Sequence, residues 1–241
     1  MVDLHKTDVL VLAGGLGQRL KTVVRDRPKP LAEIHGRPFL YYLFDQLEAA
    51  GCRRVVLCTG DRASQVEQVL RRCPHKLELH FSPEKAALGT AGALGLASQY
   101  VRSDHALVLN GDSFVGTDLQ GFADWYASLN FEIGLVAVRV PNAARFGKLD
   151  IRDDDRINAF LEKCGAVSPG WINAGIYMIE RRRLAELPKD RAVSLEAEVF
   201  PQWAAQGVIG AYRVHDRFID IGTPASYAAA KDFFTREAGV E

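Results

Sequence analysis

Residues 9–20, Val-Leu-Val-Leu-Ala-Gly-Gly-Leu-Gly-Gln-Arg-Leu, constrain this chain more than any other stretch. Val9–Leu12 reads as a short buried strand that runs straight into Ala13, Gly14, Gly15 and Gly17. A glycine-rich turn at the carboxyl end of a first strand is where α/β proteins hold phosphates. Bare backbone N–H groups can approach closely there. The turn also carries a guanidinium, Arg19. An ammonium, Lys29, follows between Pro28 and Pro30, which keep it extended. Dipoles and two cations together suit a triphosphate. A plain strand-to-helix turn with a surface arginine would use the same glycines, but a solvated lysine needs no proline on either side. The G-x-x-x-x-G-K-[ST] phosphate loop is absent, and the dinucleotide fingerprint fails at its third glycine, where Leu20 stands.

Strand and helix patterns alternate after this turn. Val55–Cys58 and Ala106–Leu109 read as buried strands, Leu77–Phe81 as a half-buried one, and Ile133–Val138 as a further strand. Helices are predicted from Pro38 to Ala50, Ala63 to Arg71, Ala91 to Val101 and Phe122 to Leu129. This succession predicts an α/β fold, a mostly parallel Rossmann-like sheet with helices on both faces. Lys148–Ile151, Ala159–Leu161 and Ile172–Ile179 are strand-like with little helix between them, which predicts a mixed-sheet extension rather than a second domain. Helices over Leu195–Ala205 and Pro224–Phe234 follow the caps Ser194 and Thr223. The 241 residues are expected to form one domain, with loose ends before His5 and after Arg236.

Composition narrows the partners. Formal net charge is +0, with 30 basic and 30 acidic residues, which argues against a nucleic-acid-coating surface. The four cysteines, Cys52, Cys58, Cys73 and Cys164, show no metal-site spacing. Cys52 and Cys58 read as buried thiols. Asp3, Lys6 and Asp8 interrupt the start before any long apolar run, so no signal peptide is expected there. No stretch has the length of a membrane span. These points predict a cytoplasmic protein with no membrane partner. A homo-oligomer is compatible with them.

Two carboxylates stand out. Leu107-Val108-Leu109-Asn110-Gly111-Asp112 is an apolar strand ending in an acid, at the sheet edge where ligands bind. Asp220 lies between Ile219 and Ile221 in a short strand-like run. Either could be a turn or surface acid, but together they suit Mg²⁺, a hard ion that accompanies phosphates and takes one or two carboxylates. Gly89-Thr90-Ala91-Gly92-Ala93 could border a flat base, although close helix packing accounts for the small residues equally well. Lys163 beside Glu162 could clamp a phosphate or be a surface pair. Asn173 could meet a sugar hydroxyl or satisfy a turn. The six histidines have no metal-ligand spacing and no nucleophile partner, so a hydrolase triad has no support.

In this order the motifs Gly14-Gly15-x-Gly17-x-Arg19-Leu20, Pro28-Lys29-Pro30, Leu88-Gly89-Thr90, Asn110-Gly111-Asp112, Glu162-Lys163, Asn173-x-Gly175 and Asp220 resemble the sugar-1-phosphate nucleotidylyltransferases. The resemblance runs from about Val9 to Phe234. Within the family, Ser82–Lys85, Arg145–Gly147 and Ile172–Tyr177 are most similar to the D-glycero-D-manno-heptose 1-phosphate guanylyltransferase branch. Mannose-1-phosphate guanylyltransferases and uridylyltransferases are near neighbours. The resemblance implies the nucleotide-diphospho-sugar transferase fold, with the mixed-sheet extension binding the sugar.

It also implies partners and roles. The partners are GTP, or another NTP, and a sugar 1-phosphate, with Mg²⁺ as cofactor. Ala13, Gly14, Gly15 and Gly17 would contact the nucleotide, and Glu84, Gly89 and Thr90 would border the base. Arg19 and Lys29 would neutralise the triphosphate, and Asp112 and Asp220 would hold the ion. Gly147, Glu162, Lys163 and Asn173 would border the sugar phosphate. Gln18 departs from the threonine of many relatives. The β-helix that several relatives carry at the C-terminus is not expected. Two other classes compete. A non-catalytic nucleotide-sugar sensor could have lost Arg19, Lys29 or an aspartate, yet all four are present. An NAD-dependent dehydrogenase is disfavoured by Leu20.

Overall fold

The computed structural model describes residues 2–15, 17, 19–20, 22–25, 27–60, 62–161 and 167–235. The first strand, β1 (Asp8–Leu12), is followed by a hairpin of β2 (Glu33–Ile34) and β3 (Arg37–Pro38) and by helix α1 (Phe39–Ala49). Then come β4 (Arg54–Thr59), α2 (Ala63–Leu70), β5 (Glu78–Pro83), α3 (Gly89–Ala97), β6 (His105–Asn110), β7 (Ser113–Val115) and α4 (Leu119–Ser128). The second half holds β8 (Ile133–Val140), β9 (Lys148–Ile151), β10 (Ile157–Leu161), β11 (Gly170–Glu180) and the short α5 (Arg181–Ala185). It closes with α6 (Phe200–Ala205), β12 (Ile209–Val214), β13 (Phe218–Asp220) and α7 (Pro224–Thr235).

Seven strands form the central sheet in the order β12-β8-β11-β6-β1-β4-β5. All neighbours pair in parallel except β11, which runs antiparallel to both β6 and β8. The continuous apolar runs are explained by burial on both faces. Val9, Val11, Leu107 and Leu109 point into one core, packed under α1, α2, α4 and α7. Leu10, Ala106 and Val108 point into the other, under α3, α5 and α6. Successive residues of a strand face opposite ways, so one unbroken run feeds two layers.

Several expectations are corrected. Ile172–Ile179 is part of a strand inside the main sheet, inserted between β6 and β8; only β9 and β10 stand apart as a hairpin. β12, absent from the sequence reading, is an edge strand of that sheet. The helix expected over Ala91–Val101 ends at Ala97 and continues as a 3₁₀ turn over Ser98–Tyr100. The helix expected from Leu195 opens instead with a π-helical turn, Leu195–Val199, before α6. α4 begins earlier than Phe122 because Asp118 caps it, accepting from Gln120 N at 3.0 Å. Leu4, placed in a loose end by the sequence, is buried at 1% exposure. Arg236 and the residues after it lie outside the described residues. Cys52 and Cys58 are buried as expected, and burial pushes the Cys52 thiol up to about 12.

Sheet order places the site. From β1 the chain moves outward through β4 and β5, then returns to lay β6 on the other side of β1. Loops diverge at such a reversal and leave a crevice at the carboxyl ends of the strands. The Gly14–Arg19 turn leaves β1 at that point.

Candidate active site

Backbone bonds continue the ladder past the strand ends and fix the crevice floor. Ala13 N donates to Cys58 O at 2.9 Å, Gly111 N to Leu12 O at 2.9 Å, and Glu84 N to Thr59 O at 2.7 Å. The floor is too tight for side chains. A Cβ on Gly14 would lie 2.9 Å from Gly60 N, and one on Gly111 only 2.6 Å from Leu12 O. Real Cβ atoms do not come that close to backbone, so glycine is required at both positions. Above the floor lies a cavity of about 410 Å³. Gly14, Gly15, Lys29, Glu84, Gly89, Thr90 and Asp112 line it together. That is a ligand-sized cavity.

Charge converges beside it. A Cβ on Gly222 would stand 2.6 Å from Asp220 Oδ1, 3.6 Å from Lys29 Nζ and 3.8 Å from Arg19 Nη2. Arg19, Lys29 and Asp220 therefore surround one point, although the sequence separates the first and last by about two hundred residues. Two antiparallel strands bring this about. β13 pairs with β7 so that Asp220 faces Ser113, the residue after Asp112, and Ile221 N donates to Asp112 O at 2.9 Å. The two aspartates thus leave neighbouring backbones. The Asp112 carboxylate pairs with the Lys29 ammonium. The Asp220 carboxylate, 15% exposed, takes Arg145 Nη2 at 3.0 Å and Gly222 N at 2.8 Å.

The donor chemistry fits Mg²⁺. Both acids are hard oxygen donors at the same edge of the phosphate crevice. Among the described residues, no group of three or more His, Cys, Asp or Glu side chains could hold a metal. An ion there has to complete its shell with phosphate oxygens and water, which is the usual Mg²⁺ arrangement.

The residues expected to border the base lie past the ends of β4 and β5. Glu84 Oε2 accepts from Leu88 N at 2.8 Å, folding the 84–88 loop over the cavity mouth. Burial pushes the Glu84 carboxyl up, and the Leu88 N–H only partly offsets this. Gly89 has φ +67, and a Cβ there would be 2.4 Å from Val193 O. A Cβ on Gly92 would be 2.8 Å from Arg191 O, and one on Gly95 2.1 Å from Pro188 O. The small residues of α3 therefore serve close packing against the 187–193 segment, while Gly89 and Thr90 still reach the cavity.

The residues expected to border the sugar are less uniform. Asn173 spends its amide locally, taking Gly175 N on Oδ1 at 2.8 Å and donating to Tyr177 Oη at 2.9 Å. It satisfies a turn in the described structure. Gly147, at φ +79, approaches Leu161 O and keeps the β9–β10 hairpin in place. Ala13 is buried beneath the glycine turn, and Gly17 packs on the Lys29 stem. Glu162, Lys163 and Cys164 lie outside the described residues. Tyr177 is fully buried, and its hydroxyl is held well above the ordinary tyrosine range, first by burial and then by the Glu196 charge. Asn110 lines the cavity, and its Oδ1 is buried without a partner.

One charged residue lining the cavity escaped the sequence reading. Glu196 sits on the π-helical turn, and a glutamate in a first helical turn reads only as a macrodipole partner. Its approach to Thr90 depends on the chain crossing α3, which no local pattern records.

A glycine-floored crevice with two cations and two carboxylates at one rim suits the charge of a nucleoside triphosphate. The family model of the nucleotidyl transferases matches residues 8–237, and the chain belongs to that family. It is 35% identical over 226 residues to a mannose-1-phosphate guanylyltransferase of Mycobacterium tuberculosis, covering 92% of this chain and 63% of that protein. The chain therefore spans less than two thirds of that relative. It is 31% identical over 224 residues to a D-glycero-alpha-D-manno-heptose 1-phosphate guanylyltransferase of Aneurinibacillus thermoaerophilus, covering 93% and 96%. The crystal structure of HddC from Yersinia pseudotuberculosis complexed with GMP-PN superposes with a TM-score of 0.85 at 35% identity, over 95% of this chain and 99% of that one.

Proposed function

We propose that this protein transfers GMP from GTP to D-glycero-α-D-manno-heptose 1-phosphate, releasing pyrophosphate and forming GDP-heptose. The observation that carries the reading is the convergence of Arg19, Lys29 and Asp220 around Gly222, beside the cavity that Asp112 lines. The named heptose enzyme of Aneurinibacillus and the guanine nucleotide analogue in the Yersinia structure support the choice of substrates.

The chemistry follows from charge. A phosphate oxygen of the sugar 1-phosphate attacks the α-phosphorus of GTP, and pyrophosphate leaves from the opposite side. Both reactants are anions, so repulsion is the barrier to relieve. Arg19 and Lys29 spread over the triphosphate and the leaving group and align the attack. On the family resemblance Lys163 would meet the sugar phosphate, with Gly147 and Glu162 around the sugar. Asp112 and Asp220 would hold Mg²⁺, which would supply further neutralisation of the phosphates. The dianionic monoester is already a nucleophile, so no general base is needed. The Glu84 carboxylate suits guanine, whose N1–H and 2-amino groups are donors. We assign the reaction to the cytoplasm, where GTP is available. Among the described residues, no helix is long and apolar enough to cross a membrane.

The second reading is GMP transfer to mannose 1-phosphate, favoured by the 35% identity to the Mycobacterium enzyme. Pyrophosphate release for each of four NTPs against both sugar 1-phosphates separates them. The expected result is GTP with the heptose first and mannose second. The two acceptors differ by one hydroxymethyl group, so a modest ratio is expected. UTP or dTTP outrunning GTP with every acceptor refutes the guanylyl reading and leaves the family intact.

A further inference from the structure

Glu196 is a carboxylate with one oxygen committed and one open. Its Oε2 accepts from Thr90 Oγ1 at 2.7 Å and from Ser194 Oγ at 3.3 Å. Thr90 Oγ1 also accepts from Leu195 N at 2.7 Å, which locks the two segments face to face. The approach is built into the backbone: Ala91 N donates to Val193 O and Val193 N to Leu88 O, zipping the 187–195 connector along α3. The π-helical turn that follows, capped by Ser194 Oγ on Ala197 N at 3.1 Å, aims Glu196 at the cavity. Single π turns recur at functional sites. Among the described residues, Oε1 has no hydrogen-bond partner.

A half-buried carboxylate is out of place in a cavity that receives phosphates, unless it faces a neutral part of the ligand. Sheet order says which part. Glu84 marks the base side at the end of β5, the glycine turn marks the phosphates at β1, and Asn110 marks the far side at β6. Glu196 lines the wall with Asn110, and its charge acts on Tyr177 of β11, one strand further out. On the far side the ligand offers sugar hydroxyls, which are donors.

We propose that Glu196 reads one ring hydroxyl of the sugar 1-phosphate, accepting from it through the Oε1 that Thr90 and Ser194 leave open. Glu196 is then a specificity-determining contact residue, and Thr90 positions it. The inference rests on the sugar-1-phosphate reading above.

The test uses the full chain, wild type and E196Q, with mannose 1-phosphate and its 2-, 3-, 4- and 6-deoxy analogues. Affinities are measured by calorimetry, and the KM for GTP and the Mg²⁺ concentration for half-maximal turnover are measured kinetically. One ring deoxy analogue is expected to bind wild type about 10–100-fold more weakly than the parent, the scale of a hydrogen bond to a charged group. E196Q should lose a similar factor for the parent and discriminate that one analogue within threefold, because the amide oxygen is held by Thr90 Oγ1 and Ser194 Oγ and the hydroxyl no longer meets a charged acceptor. The KM for GTP should stay within twofold. A wild type that ranks every ring analogue within threefold of the parent overturns the proposal without help from the variant. So does an E196Q loss shared equally by parent and all analogues, which marks a strut. A shift in GTP KM would assign Glu196 to the base, and a shift in Mg²⁺ dependence would make it a metal ligand. Wild type that turns over neither mannose nor heptose 1-phosphate with GTP removes the substrate reading itself, and the role of Glu196 with it.

Discussion

Arg145 Nη2 stands 3.0 Å from both carboxylate oxygens of Asp220. A guanidinium therefore sits on a carboxylate that we assign to Mg²⁺. Arg145 is 44% exposed, so the pair is worth at most about 1 kcal/mol. Arg145→Ala should accordingly lower the Mg²⁺ concentration for half-maximal turnover by roughly two- to fivefold at saturating sugar phosphate. A rise in that concentration would show that Arg145 supports the ion rather than competing with it.

Arg19 and Lys29 converge on Gly222. Each is expected to act on charge that develops in transfer. Arg19→Ala and Lys29→Ala should each lose on the order of 10²–10³ in kcat, as when one charge-stabilising donor is removed. Lys29→Ala also leaves Asp112 without its cation. Steady-state kinetics on folded variants decide this, and near-wild-type turnover in both would remove the phosphate assignment.

The parts of this site that were legible in sequence are those that follow strands. Gly14, Gly15 and Asp112 stand at the ends of apolar runs, and a run that ends at a glycine or an acid announces the carboxyl edge of a sheet. The alternation of patterns likewise gave the parallel sheet. What escaped depends on long-range contact. β11 has the same apolar run whether it extends the sheet or is inserted antiparallel, because burial on two faces erases the periodic signal. Glu196 reaches the cavity only because the glycines of α3 let the 187–193 segment lie against it. Asn173 matches its family motif, yet its amide is spent on Gly175 and Tyr177.

Asp112 and Asp220 leave paired backbones, so their losses should not add. Asp112→Asn and Asp220→Asn should each remove most turnover while circular dichroism stays native, and the double variant should be no slower than the worse single one. EDTA should abolish turnover and added Mg²⁺ restore it. A double variant much slower than either single one would mean separate roles, and full activity in EDTA would take the metal out of the reaction.

Glu84 sets function against stability. Burial raises its pKa, so the folded protein binds a proton more readily than the unfolded chain does. The sign follows from linkage. The favourable contribution is complete below the unfolded value near 4.5 and is lost as pH rises through the higher folded value. At neutral pH the ionised group is a liability in the absence of nucleotide. Glu84→Gln keeps an acceptor for Leu88 N and should leave the ligand-free Tm equal or higher at pH 7–8. The same change should raise the KM for GTP about tenfold or more, since a charged acceptor for the base donors is lost. A lower Tm with unchanged KM would reverse the assignment.

At the other end of β1, Asp8 ties the sheet together far from the crevice. Its Oδ1 pairs with Arg54 Nη1 at 2.5 Å, and its Oδ2 accepts from Arg102 N at 2.5 Å and Ser103 N at 3.0 Å. Burial alone would raise this carboxyl, but these donors outweigh it and hold the pKa below 3.8. Both oxygens face donors, so Asp8→Asn turns an amide NH₂ against N–H groups in either orientation and leaves Arg54 without its buried partner. The cost is about 3–5 kcal/mol, the range for breaking a buried ion pair. For a chain of this size that lowers Tm on the order of 10 °C at pH 7. A depressed carboxyl contributes stability above its unfolded value and loses it as pH falls through the folded one. The gap in Tm between wild type and Asp8→Asn should therefore hold at pH 5–7 and narrow below about 3.8, the unfolded value. A gap that stays constant through that range would mean that Asp8 acts by shape and hydrogen bonding alone, without its charge.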